Sequence, residues 1–132
     1  MARQRRDART FLFAALWNFA AAGSLWIAGL TAPGVFGVFG MTPPPDLFYF
    51  NAMMGFVVTF GVGYLIVSRD TSRNHGVVLI GVIGKSVIVL DTIVAVAREE
   101  ANAAVLGFGL VDLVFVVLFV DFLRRSGRGA RA

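Results

Sequence analysis

The sequence predicts an all-α fold, a four-transmembrane-helix antiparallel bundle with both termini on the cytoplasmic side. Three observations predict it. Of the 132 residues, 58% are hydrophobic, and the mean hydropathy is +0.79. The apolar residues gather into four runs, each long enough to cross a bilayer. The arginines gather outside those runs, at the two ends and in one connection.

The first observation excludes an ordinary soluble domain. Such domains hold about 45–50% apolar residues, and a single domain of this length buries too small a share of its surface to hide more. Lipid is the expected solvent for the excess. The net charge of +4 lies beside the apolar runs, where it orients a membrane protein; no nucleic-acid partner is expected from it. The chain has no cysteine, which excludes disulfides, thiolate metal sites and covalent haem attachment. Its one histidine, His75, falls in a loop, so no paired or clustered histidines exist to hold a metal or haem. No metal site is assigned.

A helix needs about 20 mostly apolar residues to span the roughly 30 Å hydrocarbon layer. Residues 10–30, 47–68, 76–97 and 103–123 qualify. Each run far exceeds the length of about 10 residues that a barrel strand uses, and a helix satisfies its own backbone inside lipid. The first run lacks a small-residue cleavage signature and reads as a retained helix. The four together form one domain, 1–132.

The connections differ in kind. Thr31 to Asp46 holds Pro33, Pro43, Pro44 and Pro45 among several glycines, which forbids a regular helix. Its repeated Gly34-Val35-Phe36 and Gly37-Val38-Phe39 suggest phenylalanines lying on the outer membrane surface. Arg69 to His75 and Arg98 to Asn102 are short enough to make their flanking helices antiparallel neighbours.

Orientation follows from the cations. Arg3, Arg5, Arg6 and Arg9 precede the first run, Arg69 and Arg73 lie in the middle connection, and Arg124, Arg125, Arg128 and Arg131 follow the last run. The other two connections hold only Arg98, next to Glu99 and Glu100. Positive charge stays inside, so both ends are expected in the cytoplasm. Trp26 and Tyr49 then fall near the outer interface and Tyr64 near the inner one, the depth that amphipathic rings prefer.

Polar residues within the runs are the candidates for function, since a charge at the bilayer centre costs about 2.5–3.5 kcal/mol on the mildest scales. Lys85 lies midway along the third run and Asp112 midway along the fourth, and an ion pair between them is expected. It either locks helix register or sits in a hydrated cavity that binds a solute or relays protons. Asp91, six residues from Lys85, points about 120° away around the helix. Its expected partners are Arg98, snorkelling back, or, for a protonated carboxyl, either Asn51 at similar depth on the second run or a ligand in an outward-facing pocket. Asn18 is expected to hydrogen-bond between helices, and Asp121 to sit at the interface beside Arg124 and Arg125. Ala20, Ser24 and Ala28 recur every fourth residue and offer a groove for close helix approach; Gly55, Gly81, Gly84 and Gly107 offer the same.

The stretch Gly61-Val62-Gly63-Tyr64-Leu65, then Arg69-Asp70, then Leu79-Ile80-Gly81-Val82-Ile83-Gly84-Lys85, and finally Asp112-Leu113, resembles small four-helix bacterial membrane proteins of the DoxX-like kind. The resemblance covers the second to fourth runs. It implies a compact inner-membrane bundle, with Lys85 and Asp112 as its shared charged residues. Some relatives are described as subunits of quinone-linked oxidoreductases, which implies a quinone or lipid between the helices.

Three functions compete. The first is a non-enzymatic bundle that meets membrane lipids, self-associates as a homo-oligomer or joins a larger membrane complex. The second is an oligomeric transporter or channel for a small solute, ion or proton that uses Asp91 or the Lys85–Asp112 pair. The third is an enzyme, for which no Ser/His, Cys/His, paired-His or phosphate-loop pattern is present, so no residue receives a catalytic role. The first is preferred.

Overall fold

Each apolar run of the sequence forms one long helix in the computed structural model of the chain, which describes residues 2–129. In chain order these residues form α1 (Ala2–Thr31), α2 (Val35–Val38), α3 (Phe48–Arg69), α4 (His75–Ala97) and α5 (Leu106–Gly129), with a 3₁₀ turn at Ala103–Val105 leading into α5. Among the described residues there is no strand. The four long helices are long and apolar enough to cross a membrane.

Helix α1 starts eight residues before the apolar run from Thr10 that marks it in the sequence. Hydropathy alone sets that expected start, whereas alanine, arginine and glutamine are strong helix formers, and the polar segment Ala2–Arg9 continues the helix outward. The last turn of α4 ends in a Schellman arrangement, with the Glu100 N–H donating to the Ala95 carbonyl at 2.9 Å and Glu99 N–H to Val96 at 3.1 Å. Glu99 supplies the left-handed residue, with φ of 59°. Asn74, the N-cap of α4, is also left-handed, at φ 62°.

The connection from residue 32 to 47 carries one helical turn, α2, and folds back over the bundle. Phe36 is buried, 5.3 Å from the Phe50 ring, and Phe39 packs 5.5 Å from Phe108. The phenylalanines thus cap the helix ends, where the sequence suggests a membrane-surface position. Asn102 holds the cap in place. Its backbone N–H donates to the Phe39 carbonyl at 2.7 Å, and its side-chain amide donates to Val38 at 3.0 Å. Gly40 turns the chain at φ 70°, and a Cβ there would come within 3.0 Å of the Asn102 nitrogen.

Helix α1 packs along α3 and α4 along α5, with lighter contact between α3 and α4 and between α1 and α5. All four share one apolar core of Phe11, Ala14, Ala15, Tyr64, Val67, Val78, Phe119 and Phe122. Phe11 meets Phe119 at 4.9 Å and Phe122 edge-on at 5.0 Å, while Tyr64 meets Phe119 at 5.1 Å. Tyr64 is only 1% exposed; its ring turns into this core, where Gly81 leaves room for it. The outward faces are apolar as well. Phe13, Ile27, Phe56, Leu90 and Leu110 are all more than half exposed. An apolar exterior around buried charge is the reverse of a soluble domain.

Candidate functional site

Near the middle of the four long helices, a hydrogen-bonded network joins every one of them. Lys85 on α4 projects inward because Val78, Gly81, Lys85 and Thr92, spaced by three, four and seven residues, form the buried face of that helix. Its ammonium meets Asp112 Oδ1 on α5 at 2.5 Å and donates to Asn18 Oδ1 on α1 at 3.2 Å. The Asn18 amide in turn donates to the Val57 carbonyl on α3 at 3.0 Å. Lys85, Asp112 and Asn18 are all buried, at 5%, 8% and 5% exposure. The Phe115 and Tyr64 rings flank the ammonium at 5.1 and 5.6 Å from their centroids, within reach of a cation–π attraction.

The expected Lys85–Asp112 pair is therefore formed, and Asn18 belongs to it. A lysine so enclosed keeps its charge matched by a carboxylate, an amide oxygen and two ring faces. Such a site holds a fixed charge pair and aligns the four helices at one level.

Asp91 stands apart. It is exposed on α4, about 9 Å along the helix axis from Lys85 at 1.5 Å per residue. Neither Asn51 nor Arg98 reaches it. The Asn51 side-chain oxygen accepts from the Trp26 indole at 2.8 Å, and Arg98 lies 3.9 Å from Glu100 instead. The proximity of Glu100 to Arg98, just past the helix end, wins over a seven-residue reach back along α4. Asn51 thus acts as a link between α1 and α3.

Two features escape the sequence reading. At one end of the molecule, Arg125 on α5 donates to both carboxylate oxygens of Asp7 on α1, at 3.1 and 3.2 Å, and to Asp121 at 3.0 Å. Asp7 is the only acid in an arginine-rich segment, and that was its available signal. At the same end, Asp70 accepts from the Ser72 hydroxyl and backbone N–H, at 2.5 and 3.0 Å, and lies 3.4 Å from Arg73. The Ser72 hydrogen bonds, more than Arg73, hold the Asp70 carboxyl below its usual range.

The small residues divide into two sets. Gly81 and Gly84 admit the rings of Tyr64 and Phe60, and Gly61 and Gly29 admit Phe19 and Phe50. Ala20 and Ser24 instead face outward, with Ala28 half-buried, and Gly55 and Gly107 have open space beside them.

Comparison of the chain with family models, with curated proteins and with solved structures finds no match. The fold and site still define a class: an all-helical protein whose four long apolar helices are compatible with repeated membrane crossing, joined by a buried charge network.

Proposed function

We infer that this chain is a non-enzymatic multi-pass protein of the bacterial inner membrane that works by lateral association, with copies of itself or within a larger membrane complex. The bundle is antiparallel. Contacts between Asn18 and Val57, Trp26 and Asn51, and Gly29 and Phe50 support this, since residue number rises on α1 as it falls on α3. Both termini are cytoplasmic, in keeping with the arginines at the end where Asp7 and Arg125 meet.

One observation carries the association. Asp91 presents a carboxylate on the apolar outer face of α4, with no ion-pair or side-chain hydrogen-bond partner among the described residues. Ionisable residues within spans nearly always face a protein interior or a water-filled cavity. A carboxylate turned outward is best satisfied by a neighbouring chain. The outward-facing Ala20 and Ser24 add a surface on which helices approach closely. Lipid or quinone between helices, and the DoxX-like kinship carried by Gly81, Gly84, Lys85 and Asp112, belong to the same proposal.

The test is the mass of the purified chain in mild detergent, for wild type and Asp91→Leu. Wild type is expected as an oligomer or a complex and the variant as a monomer. A wild-type chain that is monomeric at every concentration, with nothing co-purifying, refutes the reading. The same carboxylate favours a second reading, an ion or proton pathway built by the oligomer; flux through proteoliposomes that vanishes in Asp91→Asn would select it.

A further inference from the structure

The first turns of α1, the end of α3 and Thr71 just beyond it border an open pocket of about 180 Å³, lined by Gln4, Arg5, Ala8, Ser68, Arg69 and Thr71. No carboxylate lines it. The two nearest in sequence are occupied elsewhere: Asp7 by Arg125 and Arg6, Asp70 by Ser72 and Arg73. Arg5 and Arg69 have no ion-pair partner among the described residues, whereas Arg6, Arg73 and Arg98 each have one and Arg125 has two. Thr71 is 8% exposed, and its hydroxyl makes no hydrogen bond among the described residues. The side chain of Gln4 is likewise unengaged.

Arg5 and Arg69 are exposed, and two guanidiniums without carboxylate partners beside one pocket make its local potential positive. An anion there would be matched by both. Guanidinium groups present planar forks of N–H donors that match phosphate oxygens two at a time, and a hydroxyl and an amide complete a set made of donors. We propose that this cavity binds a phosphate group carrying net negative charge, as the headgroup of an anionic lipid or as a soluble phosphate. The lipid source suits a basic pocket at the cytoplasmic end of membrane helices. The inference needs the cavity alone and not the association through Asp91; only its lipid arm needs the membrane reading, so the two fail separately.

The test measures binding to the full chain in detergent by native mass spectrometry. The probes are phosphatidylglycerol, phosphatidylcholine and inorganic phosphate. Arg5→Gln with Arg69→Gln should weaken the anion about tenfold or more, the ordinary effect of losing charge-assisted hydrogen bonds. Arg3→Gln with Arg124→Gln removes the same charge away from the cavity and should leave binding intact. Thr71→Val alters no charge and should weaken binding several-fold. Selective retention of phosphatidylglycerol identifies the lipid source; retention of inorganic phosphate identifies the soluble one. Equal losses in the two arginine pairs, full affinity in Thr71→Val, or no binding of either anion by wild type overturns the proposal. If the Arg5 and Arg69 variant does not fold, Thr71→Val decides alone.

Discussion

Arg125 grips both carboxylate oxygens of Asp7 across 118 residues of chain, at 3.1 and 3.2 Å. The grip joins the first turns of α1 to the last turns of α5, two helices whose backbones otherwise touch little. With the Lys85 network farther along the bundle, it gives the molecule two polar ties at two levels. Between the ties, the contacts are apolar and less specific about register.

Replacing Arg125 by lysine should loosen this end. A lysine ammonium cannot hold two carboxylate oxygens in one plane, so Arg125→Lys is expected to cost about 1–2 kcal/mol, the lower part of the charged hydrogen-bond range because the pair is partly exposed. Asp7→Asn should cost a similar amount, and the double variant less than the sum, since both remove one interaction. Reversible unfolding in mixed micelles measures all three. High salt should shrink the differences.

Lys85 tolerates no solitary change. Lys85→Met leaves Asp112 as a buried, unmatched carboxylate and is expected to cost about 3–5 kcal/mol. Adding Asp112→Leu should restore most of that, because two packed apolar side chains replace a pair whose net contribution is small. Asn18→Leu should cost less than Lys85→Met, as Asp112 still matches the charge. The same micelle unfolding decides it, and a double variant as unstable as the single shows that the pair is not the cause.

The charge network was legible because physics narrows it. Two opposite charges near the midpoints of adjacent spans have one economical arrangement, and Lys85 and Asp112 adopt it. The helices were legible for the same reason, since apolar runs of this length have few folds open to them. Asp91 is less so: helical phase gives its direction, but Arg98 and Asn51, the partners its position suggests, pair instead with Glu100 and Trp26. The preference of tyrosine for interfaces does not reveal that the Tyr64 ring turns into the core beside Gly81. The Asp7–Arg125 tie joins opposite ends of the sequence, and no periodicity announces such a pair. In the sequence Arg5 and Arg69 signal orientation alone, because a pocket formed by two distant segments has no linear motif.

Glycines that look alike in sequence should respond differently to alanine. A Cβ at Gly81 would come within 2.7 Å of the Tyr64 ring, and one at Gly61 within 2.7 Å of Phe19. Each substitution forces a ring to move within a packed interface and should cost about 1–3 kcal/mol. Gly55 and Gly107 have open space, so alanine there should be neutral or stabilising by up to about 1 kcal/mol through helix propensity. Thermal unfolding of the four variants should separate them into these two pairs; destabilisation by Gly55→Ala comparable to Gly81→Ala would place a neighbour against α3 that the single chain lacks.

The threading of the chain can be read directly, because it contains no cysteine of its own. Arg3→Cys and Ser72→Cys lie at the arginine-bearing end, and Thr42→Cys lies in the connection between α2 and α3. If positive charge sets the orientation, a membrane-impermeant maleimide applied to intact spheroplasts should label Thr42→Cys and leave the other two unmodified. Permeabilisation should then expose Arg3→Cys and Ser72→Cys to the same reagent. The three sites test different links: Arg3→Cys and Ser72→Cys fix the end that carries the arginines of α1 and of the connection between α3 and α4, and Thr42→Cys requires an odd number of crossings between them. Labelling of Arg3→Cys from outside reverses the whole bundle, whereas labelling of all three from outside means that the apolar helices do not cross the bilayer.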